Sequence, residues 1–272
     1  MSNLVIRAIT GFFFTLFIIV SILLGNDLQA IAFTIFLALG LKEYAALFKN
    51  TDYKQSQLIT VFIGLTIYVL FVLSRNNIFT FELIFSFVFV LLFLVFLIEI
   101  WRKQNSPLLS LSVFVFGIIY LVVPFVLMNR LVHVNSKAFP PLLGMIIIIW
   151  TNDTFAYLIG RKIGKTPLFE RISPKKTWEG TFGGIIMIIV SSVLIALYTN
   201  SDDTIFWLIS GIIIAPCTIF GDLLESLFKR SMKIKDTGNI LPGHGGILDR
   251  FDAVLFTVPF FYLWHLLYEQ LV

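Results

Sequence analysis

Charge is scarce in this chain. Only 13% of its 272 residues are Asp, Glu, Lys or Arg, against about 25% in ordinary soluble domains. A soluble enzyme could not cover its surface with so few charges, so that class is excluded. Cysteine is nearly absent: the single Cys217 lies in the apolar run IIIAPCTIF. One cysteine excludes an internal disulfide and a multi-cysteine zinc site. Histidine is nearly as rare, at three residues. Hydrophobic residues are abundant instead, at 58% with 30 Phe, which excludes a disordered chain.

The apolar residues fall in long runs. A helix crossing a bilayer needs about 20 of them. Nine spans are read at roughly 4–24, 28–48, 57–74, 78–98, 108–128, 139–160, 180–199, 204–224 and 253–270. The chain is thus expected to be an all-α integral membrane protein of about nine transmembrane helices with cytoplasmic catalytic loops. The first apolar run is too long for the h-region of a cleaved signal peptide. Lys42 and Glu43 mark where the second span is expected to leave the membrane. No repeat or linker divides the chain, so 1–272 is read as one polytopic domain. Residues 1–140 read as a membrane scaffold, 150–252 as the catalytic region and 253–272 as the last span.

The placement of the basic residues orients the spans. The N-terminus and the alternate loops on its side hold 17 of the 20 Lys and Arg. The positive-inside rule puts that side in the cytoplasm. The two most basic loops, 161–179 and 225–252, then face cytoplasmic nucleotides. The expected location is the cell (cytoplasmic) membrane, multi-pass, and no nucleic-acid partner is implied.

Those loops hold most of the polar chemistry. Asn152 and Asp153 sit near the end of an apolar span; the carboxylate either faces a cavity or lies solvated at the membrane edge. Ser173-Pro174-Lys175-Lys176-Thr177-Trp178-Glu179-Gly180 precedes the seventh span. Adjacent lysines and hydroxyls at a helix start suit anionic oxygens, although a basic anchor with an interfacial Trp reads the same way. Further on, Asp222, Glu225, Ser226, Lys229, Arg230 and Lys233 would share one face if the eighth helix runs on past the bilayer. That helix should stop before Asp236-Thr237-Gly238-Asn239. Pro242-Gly243-His244-Gly245-Gly246 offers backbone amides to a ligand. Asp249 and Asp252 lie on adjacent turns at the start of the last span. Carboxylates that hold magnesium, cations for phosphate and a glycine loop together describe a phosphate-handling site. His244 alone would be a turn residue, and His133 and His265 have no companion residues.

The segment SLFKRSMKIKDTGNILPGHGGILDRFD, Ser226 to Asp252, resembles the signature of phosphatidate cytidylyltransferases (CDP-diacylglycerol synthases). Ser226, Lys229, Arg230, Lys235, Asp236, Gly238, Pro242, His244, Gly245, Gly246, Asp249, Arg250 and Asp252 all stand where that signature specifies a residue. SPKKTWEG and the Asn152-Asp153 region are similar to upstream motifs of the same family. The resemblance implies a reaction in which CTP and phosphatidic acid give CDP-diacylglycerol and pyrophosphate. It implies magnesium bound at Asp222 and Asp249, with potassium as a second cation, and a homodimer in the lipid bilayer. In this reading the catalytic residues are Asp222, Asp249, Lys229, Arg230 and His244. Ser173, Lys175, Lys176, Thr177, Ser226, Lys235, Gly245, Gly246 and Arg250 contact CTP or lipid phosphates. Arg250 has a second expected role, pairing with Asp222 or Asp252. Ser173, Ser226 and Thr177 have one too, as helix caps. Rival readings are a CDP-archaeol synthase, a polyprenol kinase, a transporter or flippase, and a non-catalytic scaffold.

Overall fold

The computed structural model describes residues 3–51, 57–76, 79–103, 105–131, 139–199, 204–243 and 245–271. His133 and His244 lie outside them. Helices stand at all nine expected places, as the apolar runs require, because a backbone in hydrocarbon must satisfy its own hydrogen bonds. They are α1 (Asn3–Leu23), α2 (Asn26–Leu47), α3 (Gln57–Leu73), α4 (Phe81–Trp101), α5 (Pro107–Gly117) with α6 (Val123–Arg130), α7 (Pro141–Ile163), α8 (Trp178–Thr199), α9 (Thr204–Ser231) and α10 (Leu248–Leu271). A π-helical turn at Ile118–Val122 joins α5 to α6, and the three form one span, Pro107–Arg130. Among the described residues eight helices are long and apolar enough to cross a membrane; the apolar stretch Leu58–Leu73 of α3 is shorter. The only strands among the described residues, β1 (Pro167–Phe169) and β2 (Ser173–Thr177), make an antiparallel hairpin between α7 and α8.

The last helix starts at Leu248, so Asp249 and Asp252 lie on adjacent turns at its start, as expected. One helix end differs from expectation. Helix α9 does run past its apolar stretch, but it stops at Ser231. Lys233 follows with a positive φ of 57°. It therefore lies off the helical face that carries Asp222, Glu225, Ser226 and Lys229.

The chain falls into two compact units. The first comprises Met1–Asn129 and Thr237–Asp249. Its core is aromatic and aliphatic: Phe33, Leu37, Leu41, Tyr44, Tyr68, Phe114, Leu121 and Phe125 are almost fully buried. The Tyr44 hydroxyl donates to the Val113 carbonyl at 2.7 Å. Arg75 donates to Asn129 Oδ1 at 2.9 Å, and Asn129 Nδ2 donates to the Tyr68 hydroxyl at 3.1 Å. Such polar pairs are kept satisfied because an unpaired group in an apolar interior is costly. On α4, Phe81, Phe85, Phe89 and Phe93 recur every four residues and are all exposed, as expected of a lipid-facing stripe.

The second unit comprises Arg130–Asp236 and Arg250–Val272. Leu142, Met145, Ile148, Ile188, Trp207, Ile214, Val258 and Phe261 form its core. Helices α7 and α8 pack closely because α8 opens with small residues. A Cβ on Gly184 would collide with Asn152 Oδ1, and one on Gly180 would lie 2.6 Å from the Ala156 carbonyl oxygen. This is the small-residue contact by which helices approach each other in membranes. His265, expected to stand alone, is buried with its Nε2 3.4 Å from Glu269 Oε1.

Candidate functional site

A cavity of about 480 Å³ opens in the second unit. Three pieces of chain wall it. Asn152, Asp153, Ala156, Tyr157, Gly160 and Arg161 come from the last turns of α7. Ser173, Lys175, Lys176 and Thr177 come from β2, followed by Gly180 and Thr181 of α8. Ile219 and Asp222 come from α9. Seven residues singled out from sequence, Asn152, Asp153, Ser173, Lys175, Lys176, Thr177 and Asp222, are therefore brought together, although 46 positions separate Lys176 from Asp222.

The hairpin is held where it is by three local features. Pro174 favours extended backbone in β2. The Thr177 hydroxyl accepts the Gly180 N–H at 3.2 Å, which makes Thr177 the cap of α8. Glu179 reaches back across the turn: its carboxylate accepts the backbone N–H groups of Lys165 (3.1 Å) and Thr166 (3.2 Å) and the Thr166 hydroxyl (3.0 Å). SPKKTWEG thus builds its own scaffold, with Thr177 and Glu179 fixing the strand that presents Lys175 and Lys176.

Lys176 forms an ion pair with Asp222. Neither partner is fully shielded; their side chains are 34% and 20% exposed. Asp153 and Asp252 also interact electrostatically with Asp222, and both with Lys176. Asn152 Nδ2 donates to Asp153 Oδ1 at 3.1 Å. One ammonium therefore acts on three carboxylates carried by three predominantly apolar helices. Lys229 adds a second cation: it pairs with the buried Glu225 at 2.6 Å and acts on Asp252.

The remaining candidates are placed elsewhere. Ser226, Lys229, Arg230 and Lys235 do not line the cavity. Arg230 and Lys235 are exposed, and Arg230 Nη1 is 3.5 Å from the Ile234 carbonyl oxygen. Arg250 is exposed too and makes no ion pair among the described residues, so the expected pairing with Asp222 or Asp252 is not formed. An arginine on the outer face of α10's first turn is more easily hydrated than desolvated against a carboxylate.

Gly245, Gly246 and Asp249 belong to the first unit. The Leu241 N–H donates to the Gly245 carbonyl at 3.0 Å, closing a tight loop in which Gly243 and Gly245 take φ of 77° and 85°. Only glycine adopts that backbone without strain. Asp249 is buried, and its Oδ2 accepts the N–H groups of Thr237 (2.9 Å) and Gly246 (2.8 Å). The glycine loop was expected to offer its amides to a ligand. Here the Gly246 amide is engaged by Asp249, because a buried carboxylate without donors is far more costly than an unliganded loop.

Magnesium binds one or two carboxylates and completes its shell with water and substrate phosphates. The donor chemistry around Asp222 fits that requirement: hard oxygens of Asp153, Asp222 and Asp252 with few cations to neutralise them. Among the described residues no three His, Cys, Asp or Glu side chains converge into a metal-binding group, so an all-protein cage is not what the site offers.

Two cavity residues had escaped sequence reasoning, Tyr157 and Arg161. Their signal was position: they follow Asp153 at i+4 and i+8, on one helical face. Glu179 was quoted within its motif without a role.

The chain matches the profile of the Cytidylyltransferase family over residues 5–268. It is 44% identical over 117 residues to a phosphatidate cytidylyltransferase of Bacillus subtilis, covering 43% of this chain and 44% of that protein. It is 37% identical over 171 residues to one from Haemophilus influenzae, covering 60% and 58%. A third, from Aquifex aeolicus, is 45% identical over 122 residues, covering 45% and 46%. The chain spans about half the length of the relatives it matches. With a match that runs through nearly every helix described above, the chain belongs to the cytidylyltransferase family.

Proposed function

We propose that this protein transfers the cytidylyl group of CTP to phosphatidic acid and releases pyrophosphate. The observation that carries the reading is the cavity itself. It brings the lysine pair of SPKK and the hydroxyls of Ser173 and Thr177 against Asp222, at the end of a span that holds Asp153. Anion-binding cations beside carboxylates, at the end of transmembrane helices, suit a reaction between a nucleoside triphosphate and a lipid phosphate. Relatives named phosphatidate cytidylyltransferase support the same reading.

In the proposed reaction a phosphate oxygen of the lipid attacks the α-phosphorus of CTP. The α–β phosphoanhydride bond breaks, and pyrophosphate leaves with the electron pair. The second pKa of a phosphate monoester is about 6, so the attacking oxygen is already ionised and no strong base is required. Lys175 and Lys176 offset the charge on the phosphates, and positioned charge is the main need of this chemistry. Ser173 supplies a donor to the same oxygens. Thr177 holds the strand by capping α8. Arg161, an exposed residue of the cavity wall, is a candidate contact for the outer phosphates. Asp222 is assigned to magnesium, with Asp249 given the same role by the signature alone; when bound, the ion supplies further charge stabilisation. Lys229 keeps Glu225 neutralised beside it. The active site is proposed to face the cytoplasm, on the positive-inside argument.

Isotopic label separates this reading from a kinase. Incubation with phosphatidic acid and CTP labelled at the α position should give a labelled lipid, and label at the γ position should leave as pyrophosphate. A lipid labelled from the γ position would replace this proposal with phosphoryl transfer.

A further inference from the structure

We propose that Glu43 is a positioning residue for the signature loop that carries Gly238, Gly246 and Asp249, a role resting on the function proposed above. Glu43 lies on α2, in the part of the chain that reads from sequence as scaffold. The residue is only 5% exposed. A carboxylate buried in an apolar helix is costly, and in membrane spans such groups serve function far more often than packing. Helix packing alone would be met by leucine.

The partners of Glu43 explain its presence. Oε2 accepts the N–H of Leu248 at 3.2 Å, across 205 residues of sequence. Leu248 is the first residue of α10, where backbone N–H groups have no partner within the helix. Glu43 therefore acts as a capping acceptor supplied by a different helix. Among the described residues Oε1 has no hydrogen-bond partner, and neither does the buried Thr237 hydroxyl nearby. The loop is shaped around this carboxylate. A Cβ on Gly238 would collide with Glu43 Oε1. A Cβ on Gly246 would lie 2.5 Å from both Glu43 Oε2 and Thr237 Oγ1. Two small positions of the signature are thus glycine because Glu43 fills the space a side chain would need. Asp249 holds the same loop through Thr237 and Gly246. Glu43 and Asp249 together clamp residues 237–249, one through the start of α10 and the other through the turn.

The test compares wild type, Glu43→Gln, Glu43→Ala, Glu43→Asp, Gly238→Ala and Gly238→Ala with Glu43→Asp, all purified in detergent. Two readouts are taken: amide hydrogen exchange across 237–249, and kcat and KM for CTP in pyrophosphate release. Glu43→Ala should speed exchange in the loop at least tenfold and lower kcat at least tenfold, with KM for CTP moved less than threefold. Glu43→Gln keeps an acceptor for Leu248 and should stay within threefold of wild type. Gly238→Ala should show both defects while Glu43 is present, and the shorter Asp should relieve part of them, since the collision is with this carboxylate. The proposal is overturned if Glu43→Ala leaves loop exchange unchanged, if Glu43→Gln is as slow as Glu43→Ala, or if the two substitutions are simply additive. Should Glu43→Ala fail to fold, the Gly238→Ala pair decides. Failure of wild type to release pyrophosphate would remove the functional reading instead; exchange would still decide whether Glu43 positions the loop.

Discussion

Replacing Lys176 by methionine removes one ammonium and keeps an unbranched stem of similar length. What that charge does follows from its surroundings. It pairs with Asp222 and acts on Asp153 and Asp252. Two unit charges 4 Å apart interact by about 4 kcal/mol at an effective dielectric of about 20. Lys176 and Asp222 are 34% and 20% exposed, so screening reduces this toward the range of a charged hydrogen bond, about 1.5–3 kcal/mol. If the ammonium turns from Asp222 to the CTP phosphates in the transition state, the loss is of similar size. At 1.36 kcal/mol for each tenfold in rate, kcat/KM for CTP should fall roughly 10- to 150-fold. Lys176→Arg keeps the charge with a different donor geometry and should recover part of the loss. The assay is pyrophosphate release at fixed phosphatidic acid and varied CTP. A methionine variant within twofold of wild type would show that Lys176 is only a membrane anchor, and the cavity would lose its claim to the phosphates.

Other substitutions probe different parts of the account. Asp249→Asn keeps one acceptor for the Thr237 and Gly246 amides but loses the charge on both bonds. It should fold, retain less than about a tenth of turnover and exchange faster at 237–249, and a fully active variant would remove Asp249 from the site. Thr177→Ala deletes the cap of α8 at a cost of about 1 kcal/mol and should lower the thermal midpoint by about 2–4 °C, whereas Thr177→Ser should be close to neutral. Gly184→Val drives a side chain into Asn152 Oδ1; it should abolish activity in folded protein, and pairing it with Asn152→Ala should restore part of the rate if that contact is the reason.

The helices were legible because a backbone in hydrocarbon must satisfy its own hydrogen bonds, and continuous apolar runs of about 20 residues do so as helices. Phe81–Trp101 is such a run. The end of α9 was harder to read: Lys233 fits the helical spacing of Asp222 and Lys229, yet the helix stops at Ser231. The start of α10 was legible from the three-residue spacing of Asp249 and Asp252, but not that Glu43 accepts the Leu248 N–H there from a different helix. The lysine pair of SPKK and Asp222 were legible as chemistry, since charge is rare in this chain and clusters there. Their meeting was not, because a hairpin and the α7–α8 glycine contacts bring them together. Glu43 was read only as the end of a span. Nothing local marks it as a partner of Gly238 and Gly246; only the fold brings it there from the other end of the sequence.

The most direct measurement is pyrophosphate release by purified protein given phosphatidic acid, CTP and magnesium, with Asp222→Asn run in parallel. The account predicts release that requires both substrates, matches the CDP-diacylglycerol formed one for one, and falls at least tenfold in the variant. Release that proceeds without phosphatidic acid, or a variant as active as wild type, would contradict the assignment of this cavity to cytidylyl transfer.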